Sequence, residues 1–365
     1  MTTVVIDNGS DTTKVGFEGT ESPLHTFPSV SKHADISGTT QSTYVGYGAH
    51  GKSDTHKLEY PINRGIITNF DSLETIWEYA FKARLNVCPT DHPVLLSDSP
   101  LSSHDSREKM TSIMFENFNT PALHISMQAL LSLYGCGRTT GIVVECGYGV
   151  THAVPVYEGF HLPHAMTHLH IGGWDITEFL TKLMNNKSLI PSKTPIDKEV
   201  IRDMKEKLCC VVSENDIVEI SSTCESYKLP DGQVITIGEQ RFEAPEVLFR
   251  PSRIGMDCGG IHEIICESVE KCDYGPRKNT SMFNNVILCG GSSMFPGILE
   301  RMQWEVKTLT PSNTNIRILA PDKRRYSAWL GGSILASLST FEDMLITKQE
   351  YDEFGPQIVH RKCSA

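Results

Sequence analysis

Two stretches of the chain place an acid two residues before a glycine and a basic or imidazole side chain seven residues after that acid. The first runs from Asp7-Asn8-Gly9-Ser10 to Lys14, the second from Glu145-Cys146-Gly147-Tyr148 to His152. Apolar and β-branched runs flank both: Thr3-Val4-Val5-Ile6 and Thr12–Phe17 around the first, Gly141-Ile142-Val143-Val144 and Val150–Val156 around the second. A glycine-containing turn between such runs reads as a hairpin. A tight turn of this kind points several backbone N–H groups one way, and phosphate oxygens satisfy them. The acid would repel phosphate directly, yet it can hold the water shell of Mg²⁺, which keeps several waters. Lys14 can reach back to the phosphates as a point charge. A third glycine-rich turn, Leu288-Cys289-Gly290-Gly291-Ser292-Ser293-Met294-Phe295-Pro296-Gly297, follows Asn285-Val286-Ile287 in the strand–turn–helix context of a nucleotide-facing loop.

Each motif alone is also ordinary turn chemistry, because Asp-x-Gly and Gly-Gly are common in turns. The internal repeat of the first two favours the phosphate reading; spacing goes no further than that. Gln128 has the same ambiguity. It lies in Ala122–Tyr134, an apolar stretch expected to be helical, where a lone glutamine is ordinarily a satisfied boundary amide. The sharper reading is that it positions a water for attack on a γ-phosphate.

Elements must hold these turns. After the first come helical patterns at Leu73–Leu85 and Arg107–Asn117 and a strand at Val94–Ser97. After the second come helical patterns at Asp175–Asn185 and Asp197–Cys210, the latter opened by Pro195-Ile196-Asp197-Lys198-Glu199. The fold class expected is α/β, two similar lobes facing each other across a cleft. Segments 31–56 and 213–233, rich in Ser, Thr, Gly and Asp, read as surface insertions or mobile edges.

At 365 residues the chain is too long for one ordinary core. It has no run of 18 apolar residues and no basic-then-apolar leader, so a protein of the cytosol or nucleus is expected. The net charge of −11 argues against nucleic acid or an anionic membrane as partner. Eleven scattered cysteines, with no CxxC pair, read as free and mostly buried thiols.

At these residues the chain resembles actin from Asp7 to Cys363. The stretches that carry the resemblance include Gly65-Ile66-Ile67-Thr68-Asn69, Arg107-Glu108-Lys109-Met110-Thr111 and Gly137-Arg138-Thr139-Thr140-Gly141-Ile142-Val143. Others are Leu229–Gly238, Gly331–Phe341, Ile346–Glu353 and Ile358-Val359-His360-Arg361-Lys362-Cys363. The resemblance implies an actin-like ATPase fold of four subdomains around a central nucleotide cleft. By matched position subdomain 1 takes 1–27, 61–135 and 327–365, and subdomain 2 takes 28–60. Subdomain 3 takes 136–171 and 257–326, and subdomain 4 takes 172–256. It further implies ATP or ADP with Mg²⁺ or Ca²⁺, and filaments, formed with itself or with conventional actin, whose ATP is hydrolysed slowly after assembly. Actin-binding proteins would be further partners, and the location would be the cytoplasmic cytoskeleton. By matched position Asp7 and Glu145 would order cation-bound water, while Ser10, Lys14 and Gly147 would meet phosphate. Gln128 and His152 would flank the attacking water. Lys205 and Glu206 would border the adenine, Gly290, Gly291 and Met294 would line base and ribose, and Arg325 would stack beside the base.

The sequence departs from that pattern at the turns. Asp11 stands where actins place glycine, Glu145 where they have Asp, and Tyr148 where they have another Asp. Two unit charges about 5 Å apart at an effective dielectric near 20 repel by roughly 3 kcal/mol, so Asp11 would oppose phosphate. One acid is gained at Asp11 and one lost at Tyr148, which conserves formal charge. Assembly surfaces differ too. The loop around Ala34-Asp35-Ile36-Ser37-Gly38-Thr39-Thr40 is short and lacks an apolar tip, Arg64 replaces a commonly methylated His, and Arg253 replaces an aromatic. The acidic N-terminal cluster is missing, and the sequence ends Ser364-Ala365 rather than in Phe. Two readings therefore stand: an ATP-binding, filament-forming actin-like protein, or a non-polymerising subunit of a larger chromatin, ciliary or dynactin-like assembly with weak or no ATPase. A small-molecule kinase would need a catalytic Asp base that nothing here matches.

Overall fold

The computed structural model describes residues 1–36, 40–50, 58–187, 189, 197–212, 224–272 and 282–363. The tip of the short loop (37–39), residues 51–56, residues 213–223 of the second polar segment, Pro195-Ile196 and Ser364-Ala365 lie outside them. The chain divides into two compact units. One comprises 1–140, 156–161 and 326–365; the other comprises 141–155 and 162–325.

The first unit is built on a six-stranded mixed sheet. Its order is Ile346–Thr347, Ala122–Met127, Val94–Asp98, Val4–Asn8, Thr12–Phe17, His25–Pro28. Strand Val4–Asn8 lies in its middle, parallel to Val94–Asp98 and antiparallel to Thr12–Phe17. Alternation sends Val4 and Ile6 to one face, where they join Trp77, Leu96 and Phe115, and Val5 to the other, where it joins Leu95, Leu131 and Trp329. A strand buried on both faces needs apolar residues throughout, which is why Val4-Val5-Ile6 reads as an unbroken run.

The helical pattern at Leu73–Leu85 becomes an α-helix over Phe70–Tyr79, capped by the Asn69 side chain, continued by wider turns over Ala80–Leu85. That at Arg107–Asn117 becomes a helix from His104 with wider turns at Ile113–Asn117. The expected helix at Ala122–Tyr134 is a correction. Ala122–Met127 is a fully buried parallel strand, and only Gln128–Gly135 is helical. Leu123, Ile125 and Met127 alternate with His124 and Ser126 at the period of a strand, but this alternation runs straight into the apolar helix with no Gly or Pro to mark the switch.

Helix Gln128–Gly135 packs against helix Ser327–Ala336 at backbone contact distance. A Cβ added at Gly331 would collide with the carbonyl oxygen of Leu131, and one at Gly135 would stand 3.2 Å from the Ser327 carbonyl oxygen. Trp329, from the same helix, donates its indole N–H to the Val5 carbonyl at 3.0 Å.

The second unit has a sheet in which Thr151–Tyr157, Gly141–Cys146, Val286–Cys289 and Ile318–Leu319 follow one another, with Thr167–Leu169 paired to the first. Ile142-Val143-Val144 and Val286-Ile287-Leu288-Cys289 run parallel and are buried throughout. Helices Gly173–Asn186, Lys198–Leu208, Ile261–Glu270 and Ile298–Leu309 accompany it. The Asp197 side chain caps the second of these, as the local sequence predicts. Arg301 is wholly buried, its guanidinium held by Glu246 at 3.0 and 3.1 Å, by Glu305 at 2.7 Å and by the Val212 carbonyl at 2.8 Å. The described parts of the two polar segments are hairpins, Ser31–Ile36 with Thr40–Val45 and Glu225–Lys228 with Val234–Ile237.

All eleven cysteines are free, and six are buried. Burial pushes the Cys209 thiol up to about 12 and that of Cys363 to about 11. No helix among the described residues is long and apolar enough to cross a membrane.

Two expectations follow. Gly331→Ala should lower the unfolding free energy by about 3 kcal/mol or more, because backbone atoms cannot yield as side chains do; urea titration reads this directly. His124 is buried beside Phe341, and burial holds its pKa down to about 4 against the opposing bond to the Met344 carbonyl, with a smaller push in the same direction as burial from the Arg107 charge. The unfolded chain binds that proton at about 6.5. Stability from His124 is therefore complete above pH 6.5 and lost as pH falls toward 4, by about 3 kcal/mol in all. His124→Gln should flatten the pH dependence of the urea midpoint across that window.

Candidate functional site

Both acid–glycine turns close in the same way. The Gly9 N–H donates to the Thr12 carbonyl at 3.2 Å, and the Gly147 N–H to the Val150 carbonyl at 3.0 Å. A Cβ at either glycine would press on the accepting oxygen, at 2.6 and 2.9 Å. The repeat seen in sequence is thus a repeat of backbone geometry. It differs from the sequence reading in one detail: Asp7 and Asn8 belong to the strand, and the turn proper begins at Gly9.

In the first unit that placement sets Asp7 directly opposite Lys14 in the antiparallel ladder. The Lys14 ammonium lies 2.9 Å from Asp7 Oδ2. Asp7 Oδ1 accepts from Ser97 Oγ at 2.6 Å and from Gln128 Nε2 at 2.8 Å. Gln128 Nε2 also donates to the Asn8 carbonyl at 3.0 Å, so its nitrogen faces acceptors and its Oε1 is the atom able to accept. Ser97 Oγ further accepts from the Asn8 N–H at 2.9 Å, and the Trp77 indole donates to Asn8 Oδ1 at 2.9 Å. Three other elements therefore converge on one carboxylate, which is only 3% exposed. Burial pushes the Asp7 carboxyl up, but the Lys14 charge and the bonds from Ser97, Lys14 and Gln128 together outweigh it and hold Asp7 below its usual value. Asp7 is ionised at neutral pH.

Ser10 lies on the exposed side of the turn, where its Oγ accepts from the Gly65 N–H at 3.1 Å. Gly65 and Arg64 form the two-residue connection of the hairpin Ile62–Asn63 and Ile66–Ile67, both with positive φ (80° and 48°). Such a connection matches strand twist. Asp11, after Ser10, uses its carbonyl to accept from the Ser29 N–H at 2.7 Å.

In the second unit Glu145 sits near the end of its strand, opposite Cys289. The Gly147 carbonyl accepts from the Gly173 N–H at 3.0 Å and from Ser292 Oγ at 2.8 Å, and the Tyr148 carbonyl accepts from the Trp174 N–H at 2.8 Å. The second turn and the glycine-rich turn are thereby both tied to the start of helix Gly173–Asn186. Lys205 is 4% exposed, its ammonium anchored on the Gly173 carbonyl at 3.0 Å and Thr177 Oγ1 at 3.1 Å. Glu206, one residue on, faces solvent, 3.9 Å from Arg202 Nε. Gly290 has φ of 89° and no room for a Cβ against Cys146, whereas space beside Gly291 is open. Met294 and Arg325 are exposed. Arg324, which sequence reasoning passed over, pins the same turn: its guanidinium donates to the Ser293 carbonyl at 2.9 and 3.1 Å and its carbonyl accepts from the Gly290 N–H.

His152 is buried in the second unit, whereas Gln128 belongs to the first. Burial, then the neighbouring His168 and His170, hold the His152 pKa down to about 4. It is neutral at pH 7, able to accept a hydrogen bond from water but a weak base.

Sequence reasoning also missed Ser97, Asn8 and Trp77. Only Ser97 carried a signal, as the first polar residue where the apolar run Val94-Leu95-Leu96 ends.

Replacing Asp7 by Asn should leave the Lys14 ammonium without its counter-charge and cost about 3–5 kcal/mol of unfolding free energy. Lys14→Met combined with Asp7→Asn should recover part of that loss in the same denaturation assay.

Comparison with protein families matches the family model described as actin to residues 1–364.

Proposed function

Because the chain belongs to the actin family, we propose that it is an actin-like cytoskeletal protein that binds ATP with a divalent cation and assembles, alone or with conventional actin, hydrolysing ATP slowly. Members of this family generally bind ATP or ADP with such a cation. The observation that carries the reading is the ionised, buried Asp7 with Lys14 on one oxygen and Gln128 and Ser97 on the other.

The donor set fits a cation reached through water. Three bonds engage Asp7, about one fewer than a carboxylate's acceptor directions, and Mg²⁺ bound to nucleotide keeps much of its water. In this reading Asp7 and Glu145 order that water. Ser10, Lys14 and Gly147 meet the phosphates, with the open face beside Gly291 admitting ligand close to backbone. Gly290 shapes the glycine-rich turn, Met294 and Arg325 offer exposed surface to base and ribose, and Lys205 and Glu206 border the base. Lys205 does so from a fixed position, because its anchorage also holds the start of helix Gly173–Asn186. The nucleotide supplies the phosphoanhydride bond. Gln128 Oε1 and neutral His152 would each accept a hydrogen from the attacking water. The low basicity of His152 restricts it to orienting that water, which suits slow turnover.

A second reading, a non-polymerising subunit of a larger assembly, draws support from the exposed Arg253 on the turn Pro251–Ile254 and from the carboxylate of Asp11 beside the phosphate turn. One experiment separates the two. The monomer is purified in Ca²⁺ and ATP, bound nucleotide is measured, and Mg²⁺ and salt are added while pelleting and phosphate release are followed. Stoichiometric nucleotide with pelleting supports the filament; nucleotide without pelleting supports the subunit; a folded protein with no nucleotide overturns both ATP roles.

Gln128→Ala should slow phosphate release about 10²-fold while ATP affinity changes little. Asp11→Gly alone should raise ATP affinity only modestly if the loss of the acid at Tyr148 already compensates. A sharp rise without Tyr148→Asp would sink compensation.

A further inference from the structure

Beyond these turns, the second unit gathers imidazoles on one face of its sheet. Strand Thr167–Leu169 runs antiparallel to Thr151–Tyr157 with His168 opposite His152. Directly opposed residues project to the same face, and so do residues two apart along an extended chain. His168 therefore shares the face of His152, and His170, one residue past the end of the strand, sets its ring beside that of His168. Both are exposed, whereas His152 is buried. The rings of His168 and His170 stand 4.7 Å apart, centroid to centroid, inclined at 70°.

We propose that His168 and His170 form a two-imidazole chelating site for a late divalent transition-metal ion, of the Zn²⁺, Ni²⁺ or Cu²⁺ class, with water or a small anion in the remaining positions. Imidazole suits these metals, whereas Mg²⁺ and Ca²⁺ prefer oxygen. The site thus differs in metal class from the cation proposed with ATP. Metal–nitrogen bonds of about 2.0–2.1 Å at a tetrahedral angle need nitrogens about 3.3 Å apart. Rings with centroids 4.7 Å apart can offer one nitrogen each at that spacing, and both residues are exposed. Strand Thr167–Leu169 carries His168, and His170 follows directly after its end, so binding to the first presents the second at high local concentration. Among the described residues no set of three His, Cys, Asp or Glu side chains is placed to hold a metal. The chelate is accordingly open, with coordination positions for an exogenous ligand.

The test uses untagged full-length protein without nucleotide. Thiols are first blocked with N-ethylmaleimide, since Cys88, Cys224 and Cys258 are exposed and would compete. Calorimetric titration with Ni²⁺ should show one site per chain. His168→Gln and His170→Gln should each weaken it about tenfold or more, and the double variant should abolish it. His164→Gln, which removes another exposed imidazole of the same unit, should change nothing. Cu²⁺ electron paramagnetic resonance should report two coupled nitrogens in the parent and one in either single variant. Ni²⁺ binding that survives the double variant, or no binding at all, overturns the proposal. Thermal melts confirm that the variants fold. Because no nucleotide is present, either outcome leaves the ATP reading to its own experiment.

Discussion

A buried charge pair governs the first unit. Asp7 and Lys14 face each other across the central ladder, and the Lys14 charge is a main reason the buried Asp7 carboxyl stays below its usual value. Their separation follows from hairpin register, which in turn follows from the Gly9 turn. Ser97 arrives from a parallel neighbour strand and Gln128 from a helix start, so the carboxylate links local and distant chain segments. Moving any of the four would leave a polar group unsatisfied in a low-dielectric setting, where the penalty is largest. Fold and candidate chemistry are therefore one constraint in this region. The same residues that would orient phosphate, cation and water also close the sheet.

The second unit reaches a related geometry by different means. Its turn repeats the glycine-to-carbonyl bond of the first, but the supports are backbone N–H groups at the start of Gly173–Asn186 and the Ser292 hydroxyl. Tyr148 contributes a ring that meets Trp174 edge-on, at 6.0 Å between centroids. Trp174 in turn lies under the Lys198 ammonium at 4.4 Å. Where the first turn is organised by charge, the second is organised by backbone and aromatic contacts.

The paired hairpins were legible in sequence because glycine, an acid and β-branched runs have only a few compatible geometries. Helix starts such as Asp197 were legible for the same reason. The strand at Ala122–Met127 was not separated from the helix after it, since its short alternation of Leu123, Ile125 and Met127 with His124 and Ser126 runs into Gln128–Gly135 without a Gly or Pro between them. The partners of Asp7 were out of reach for another reason: Ser97 and Gln128 come from 90 and 121 residues away, and no local rule encodes such pairing. Arg324 was overlooked because the neighbouring Arg325 drew the stacking role. Family resemblance supplied roles for Gln128 and His152 that no spacing could.

The chain leaves the first unit at residue 140, visits it briefly at 156–161, and completes it only from 326 onward. The sheet edge Ile346–Thr347, the helix Ser327–Ala336 and the indole of Trp329 all belong to that last return. During synthesis the central strand must wait for about 185 further residues before its second face is covered. At ribosomal rates of about 5–20 residues per second the wait is roughly 10–40 s. Val5, Leu95 and Leu131 lack Trp329 and the rest of its helix for that interval, so this apolar face is completed only after nearly the whole chain has been made.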